Sequence, residues 1–220
     1  MLLLLISGLV YWAYQSNAPS LETSYANHEP NVAYVGMAKC AKCHGDKHST
    51  FVHTGMGLSF DHATPSKSSA LFGKEHIVYD STLDMYYYPY WKNEELYIKE
   101  FRLKDKDTVH KLDVGIDYIV GSGQHTNSHI IEKNGYVYQA PITFYVQKGT
   151  WDLAPGFENG NNSRFDRLLN VECMSCHNAM PEMVGESQTH FETIGTGIDC
   201  ERCHGPGALH VAEREQGKGV

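Results

Sequence analysis

Three copies of one five-residue pattern constrain this chain more than any other feature. Cys40-Ala41-Lys42-Cys43-His44, Cys173-Met174-Ser175-Cys176-His177 and Cys200-Glu201-Arg202-Cys203-His204 share the form C-x-x-C-H. The chain has six cysteines, and the three copies use all of them. Residues three apart on a helical turn share a face, so two thiols at this spacing reach one edge of one flat ligand. The histidine that follows can then put its imidazole on a metal at the ligand's centre. C-x-x-C-H is the attachment pattern of c-type haem, in which the thiols add across two vinyl groups and the histidine becomes one axial ligand of the iron.

Three rival chemistries fit less well. Cys173/Cys176 and Cys200/Cys203 resemble paired zinc knuckles, but zinc leaves Cys40/Cys43 without a second pair and makes three following histidines accidental. With 13 histidines in 220 residues, that accident has odds of about 2 in 10,000. A redox-active C-x-x-C expects a βαβ context that no copy has. A disulfide closing so short a loop is a weak staple, since stabilisation grows with loop length. The sequence therefore implies three covalent haem c groups, with Cys40, Cys43, Cys173, Cys176, Cys200 and Cys203 as thioether positions and His44, His177 and His204 as proximal iron ligands.

Ten histidines remain, enough to supply a second imidazole to every iron. Two imidazoles hold a haem potential low, whereas a methionine ligand raises it. His210 is the first candidate: Gly205-Pro206-Gly207 ends the haem-binding helix and lets the chain turn to present His210 to a neighbouring iron. His53 in "FVHTGMG" is second, His125 in "GSGQHTNSH" third, and His190, ten residues before Cys200, follows closely. Met56 is a rival ligand near His53, read instead as a loop or core methionine.

The rest of the chain sets the context. A formal charge of -8 disfavours nucleic-acid binding, which needs clustered Lys and Arg. Residues 2–14 carry no charge and are too short for a full membrane span, which fits residues 1–16 as a signal peptide or signal-anchor. Residues 17–33 read as a linker. The expected fold class is α+β, with short haem-binding helices and loops plus an antiparallel β insertion at about 72–150. Residues 76–91 and 95–103, rich in Tyr, Ile, Val and Phe, read as a hairpin with its turn at 92–94. Asn134-Gly135 between two apolar runs predicts a type I′ turn. "MYYYPYW" at 85–91 reads as core and cross-strand packing rather than a quinone site or relay. Gly121-Ser122-Gly123 reads as a turn, because the third glycine of a dinucleotide fingerprint is missing. From Arg164 onward the pattern is helical, broken by loops.

"YVGMAKCAKCHGDKHSTFVHTGMGLSF", "PGFENGNNSRFDRLLNVECMSCHN" and "GIDCERCHGPGALH" resemble the multihaem cytochromes that carry a cytochrome c-552/4 domain, a group that includes the tetrahaem electron carrier of ammonia oxidisers. One subgroup joins such a domain to tetratricopeptide repeats. The resemblance covers about 34–210. It implies a periplasmic or extracellular carrier with mostly bis-histidine irons and supports His53 and His210 as ligands; with the three motifs it makes 34–210 a triple-haem domain, and the signal-anchor reading of 1–16 adds an inner-membrane anchor as one form of a periplasmic or extracytoplasmic location. Two departures matter: three motifs stand where the family has four, and the chain stops sixteen residues after His204 without repeats. Both are consistent with a fragment of a longer protein, with 211–220 a polar tail.

The function these features favour is extracytoplasmic electron transfer between redox partner proteins, in a carrier rather than an enzyme. The alternative is a multihaem oxidoreductase with one open iron acting on a nitrogen or sulfur compound, its pocket lined by His125, His129 and Tyr118. A sensor or assembly module of a larger redox complex is a third reading.

Overall fold

The computed structural model describes residues 25–218, so the apolar segment at 1–16 and residues 17–24 of the linker lie outside the described residues. The chain divides into two compact units. One is Gly36–Cys203; the other is Met1–Val35 with His204–Val220, described here over 25–35 and 204–218.

The larger unit opens with two short helices, α1 (Met37–Ala41) and α2 (Gly45–Phe51). Strands follow: β1 (Phe60–His62), β2 (Val78–Asp80), β3 (Met85–Lys92), β4 (Glu95–Lys104), β5 (Asp107–Ile116), β6 (Tyr118–Val120), β7 (Thr126–Lys133), β8 (Tyr136–Tyr145), β9 (Thr150–Leu153) and β10 (Arg167–Leu168). Helix α3 (Val171–His177), strands β11 (Glu182–Met183) and β12 (Phe191–Thr193), and helix α4 (Glu201–His204) complete the run. The described α+β content is thus antiparallel sheet with short helices.

Strands β2 to β5 form a four-stranded antiparallel sheet in sequence order. The β3–β4 turn places Asn93 and Glu94 at positive φ, and the β7–β8 turn does the same with Asn134 and Gly135, the backbone that a two-residue hairpin needs. Asp105 and Lys106 make the β4–β5 turn in the same way, without a glycine. The run 76–91, read as one hairpin arm, is itself folded back into β2 and β3. The Asp80 carboxylate accepts the backbone N–H of Thr82 at 2.9 Å and of Leu83 at 3.2 Å, which closes that extra turn.

A second sheet runs β1-β6-β7-β8-β10, with β9 paired to β8. One core, including Tyr87, Leu96, Ile98, Ile131, Ile142, Phe144 and Trp151, joins residues of both sheets. Phe60, Ile130, Val137, Met174 and Phe191 form another. Neighbouring residues of a strand point to opposite faces, so Ile130 and Ile131 on β7 serve different cores. The C-terminal third holds the β11–β12 hairpin where only helices and loops are expected from sequence.

A buried polar network ties the segment before α3 to the four-stranded sheet. Glu100 on β4 is 0% exposed. It accepts from Arg164 Nε at 2.7 Å, from Arg164 Nη2, and bonds His110 Nε2 at 2.8 Å. Burial alone would raise the Glu100 pKa, but the hydrogen bonds from Arg164 and His110 outweigh it and hold the carboxyl low. Beside them Asn162 donates to Asp80 Oδ2 at 2.8 Å and to the Tyr87 hydroxyl at 3.1 Å.

In the smaller unit, α5 (Ala208–Glu215) follows Gly205-Pro206-Gly207 and sits with a helical turn at Ala26–His28. The Ala208 N–H donates to the Ala33 carbonyl at 3.2 Å, and Asn27 Nδ2 donates to the His204 carbonyl at 3.2 Å.

Candidate functional site

Each cysteine pair is set on a helical turn, but by a different local device. In the first motif Cys40 lies in the last turn of α1 and His44 is the N-cap of α2, with the His44 N–H returning to the Cys40 carbonyl at 3.0 Å. The second motif lies wholly on α3, whose start is fixed by the Asn170 side chain accepting from the Cys173 N–H at 3.3 Å. Met174, between the two thiols, is 2% exposed and locks the helix into the second core, leaving Cys173 and Cys176 on the outside. In the third motif Asp199 accepts from the Arg202 N–H at 3.1 Å, and Cys203 bonds back to Cys200 at 3.2 Å. All six thiols are free, and Cys43, Cys173, Cys176 and Cys203 are exposed.

The attachment segments are tied to one another. Glu201, buried, accepts from the Gly36 N–H at 2.6 Å, joining the third motif to the start of α1. Cys40 lies beside Cys200; burial first, then the proximity of Cys200 and Glu201, pushes the Cys40 thiol up, which keeps it protonated. Arg202 Nη2 donates to the Ala179 carbonyl at 3.2 Å, two residues past His177. Ser59 donates to the His177 carbonyl at 2.7 Å, next to Phe60 of the second core. Asn178 and Gly195 exchange hydrogen bonds, which fixes the exit from α3 against the approach to α4.

The residues present fit a haem. Six free thiols stand in pairs at attachment spacing, each pair followed by an imidazole. Partial desolvation lowers the His177 pKa and favours the neutral ring that binds a metal. Arg202 Nε is a buried cationic donor with no partner among the described residues, a feature that an anionic propionate would satisfy.

The distal candidates differ in their surroundings. His53 is exposed just beyond α2, on a segment tied to the approach to the third motif: the Ile198 N–H donates to the Met56 carbonyl at 3.1 Å, and the Gly197 N–H to the Phe60 carbonyl at 2.6 Å. His210 is exposed on α5, past the expected Gly-Pro-Gly break. His125 is exposed and its Nδ1 bonds Gln147 Nε2 at 2.8 Å. His190 stacks on Tyr136 at 4.5 Å with its Nε2 on the Asn134 carbonyl at 3.1 Å, so it packs against the β7–β8 turn. His28 carried no signal in sequence, yet it lies against Gly205: a Cβ there would sit 3.2 Å from His28 Nε2. His125, His129 and Tyr118 do not form a pocket. His129 is fully buried against Trp151, Tyr118 packs with Phe60 in the second core, and His125 is at the surface.

Residues 156–205 match the family model described as cytochrome c554 and c-prime, a span that holds the second and third motifs. The fold is similar to a crystal structure of the outer cell wall cytochrome OcwA, with a TM-score of 0.52 and 20% identity over 83% of this chain and 34% of that one. The chain therefore spans about a third of that protein's length, and the likeness is one of fold. No curated protein matches the chain. Together the family match and the attachment motifs support a c-type cytochrome with covalently held haem iron.

Proposed function

We propose that the chain is an electron-transfer protein with three haem c groups, held by Cys40/Cys43, Cys173/Cys176 and Cys200/Cys203, with His44, His177 and His204 as proximal ligands. The observation that carries this reading is the direct linkage of all three attachment segments, through Glu201–Gly36, Arg202–Ala179 and Ser59–His177. Haem iron supplies a one-electron ferric–ferrous couple when bound. The protein's part is to hold short helical turns in fixed register, to keep the His177 imidazole neutral, and to supply Arg202 as a cationic partner for propionate. His53 and His210 are the first choices for distal ligands, with His125 and His190 next. His190 must give up the Asn134 carbonyl to serve through Nε2.

On this reading residues 34–210 are a triple-haem domain of the c-552/4 kind with a β-rich insertion at about 72–150. Residues 1–16 direct export or anchor the chain, and 17–33 link them. The apolar run at 2–14 and the outer-cell-wall setting named for the similar cytochrome support an extracytoplasmic location. The partners are redox proteins, within a larger assembly if the chain continues. The deciding experiment counts haem per chain as the reduced pyridine complex and records spin state with and without cyanide. Three haems, all low-spin and indifferent to cyanide, establish a saturated carrier. Fewer haems refute the assignment, and one cyanide-binding high-spin iron turns the reading toward an oxidoreductase acting on a nitrogen or sulfur compound.

A further inference from the structure

The outer face of the four-stranded sheet carries an aromatic array that the cores do not use. On β3, Met85 and Tyr87 point into the core, while Tyr86, Tyr88 and Tyr90 point the other way. Two runs of ring contacts lie on this face. Tyr79, Tyr86 and Phe101 follow one another at 4.6 and 5.2 Å, and Tyr88, Tyr90 and Tyr97 at 5.6 and 5.7 Å.

Three of these hydroxyls share one arrangement. Tyr90 donates to Asp113 Oδ1 at 2.7 Å, Tyr97 to Glu95 Oε2 at 2.7 Å, and Tyr79 to Asp84 Oδ1 at 3.0 Å. Each phenol thus faces a ready proton acceptor. Cross-strand stacking accounts for the rings but needs no carboxylate at each hydroxyl. Lys99 and Lys111 flank Asp113, at 3.9 and 3.7 Å, and Lys99 lies 5.1 Å above the Tyr90 ring.

We propose that this face is a site of proton-coupled one-electron oxidation, at which Tyr90, Tyr97 and Tyr79 intercept radical oxidants arriving from solution. The phenolic O–H bond of Tyr90 breaks. Its electron reduces the radical by one unit, and its proton forms a new O–H bond on Asp113, leaving a neutral tyrosyl radical beside a neutral carboxylic acid. Glu95 and Asp84 take the proton for Tyr97 and Tyr79. Ring contacts within each run let the radical move between neighbours. The proposal rests on this face alone and stands apart from the haem reading.

The test exposes the haem-loaded protein, with its irons oxidised, to azidyl radical. This oxidant is neutral, so charge does not steer it. Tyrosyl radicals are captured with a nitrone spin trap and located by peptide mass spectrometry. Tyr34 is the control: it is 49% exposed and has no carboxylate partner among the described residues. Adducts on Tyr90, Tyr97 and Tyr79 are expected to exceed those on Tyr34 by about tenfold, the rate equivalent of one charge-assisted hydrogen bond. Asp113→Asn is expected to lower the Tyr90 adduct by a similar factor and to leave Tyr79 unchanged. Adduct yields that simply follow exposure, with Tyr34 highest, overturn the proposal, as does an Asp113→Asn protein with unaltered Tyr90 labelling. If that variant does not fold, the Tyr90 to Tyr34 ratio in the parent protein still decides.

Discussion

Replacing Arg164 with methionine should expose what the buried network contributes. Glu100 is fully buried and receives three hydrogen bonds, two from Arg164 and one from His110. Removing one partner of a buried pair typically costs ~3–5 kcal/mol, because a desolvated charge is left behind. Two features reduce that here. His110 remains on Oε1, and the Arg164 side chain is 39% exposed, so solvent already screens part of the pair. A loss of about 2 kcal/mol at neutral pH is expected, read from urea denaturation followed by far-ultraviolet circular dichroism.

The pH dependence gives the sharper check. In the parent protein Glu100 has a folded pKa below its ordinary value of 4.5. Its contribution is therefore fully present above that value and lost as pH falls through the folded pKa. In Arg164→Met, burial acts against a single remaining partner and the folded pKa rises. The variant's penalty is then greatest at neutral pH and shrinks on acidification as the carboxyl takes up a proton. The two stabilities should converge as pH falls through the folded Glu100 pKa of the parent protein. Adding Glu100→Gln should recover part of the loss. A variant within about 0.5 kcal/mol of the parent at pH 7, or a gap that does not narrow in acid, refutes the reasoning.

Two further outcomes follow from single buried side chains. Met174→Ala should cost about 2–5 kcal/mol by opening a cavity under α3, and should loosen the second motif first, seen as a change in the spectrum of the haem proposed at Cys173/Cys176. His129 is buried, stacked on Trp151, and burial lowers its pKa from 6.5 to about 4. Its unfolded form binds a proton first as pH drops, so stability falls between about pH 6.5 and 4, by ~3 kcal/mol in all, and His129→Phe should flatten that slope in acid denaturation curves.

The helical-turn geometry of the C-x-x-C-H motifs was legible because it is local. Thiol and imidazole positions depend on spacing along one helical turn, and the structure places each C-x-x-C-H on such a turn. The Asn134-Gly135 turn was legible for the same reason, since its residues tolerate positive φ. Asp105-Lys106 makes an equivalent turn with residues that give no such signal, so tertiary pairing of β4 with β5 decides it. Strands β11 and β12 are too short to show a period. His129 gives no sign in sequence that it lies in a core rather than a pocket. The adjacency of Cys40 with Cys200, and of His28 with Gly205, joins distant parts of the chain that no local pattern relates.

The β-rich span reads as an insertion in sequence, yet the packing argues that the second motif depends on it. Met174 holds α3 against Phe60, Ile130, Val137 and Phe191. Ile130 and Val137 both lie within 72–150, on β7 and β8. Strand β1, which carries Phe60 and follows Ser59, pairs with β6 of the same span. Excising 72–150 would remove two of Met174's four buried partners in that core and strip β1 of its neighbour, so the Ser59 bond to the His177 carbonyl would lose its support. The first and third motifs keep their direct link through Glu201 and Gly36, outside the excised span. On the proposed three-haem reading, a chain lacking 72–150 is therefore expected to lose haem at Cys173/Cys176 ahead of the other two sites, measured by haem count and peptide mapping of thioether bonds. A deletion protein that carries haem equally at all three pairs would show that the span is a separable module, and that the second core is not what positions α3.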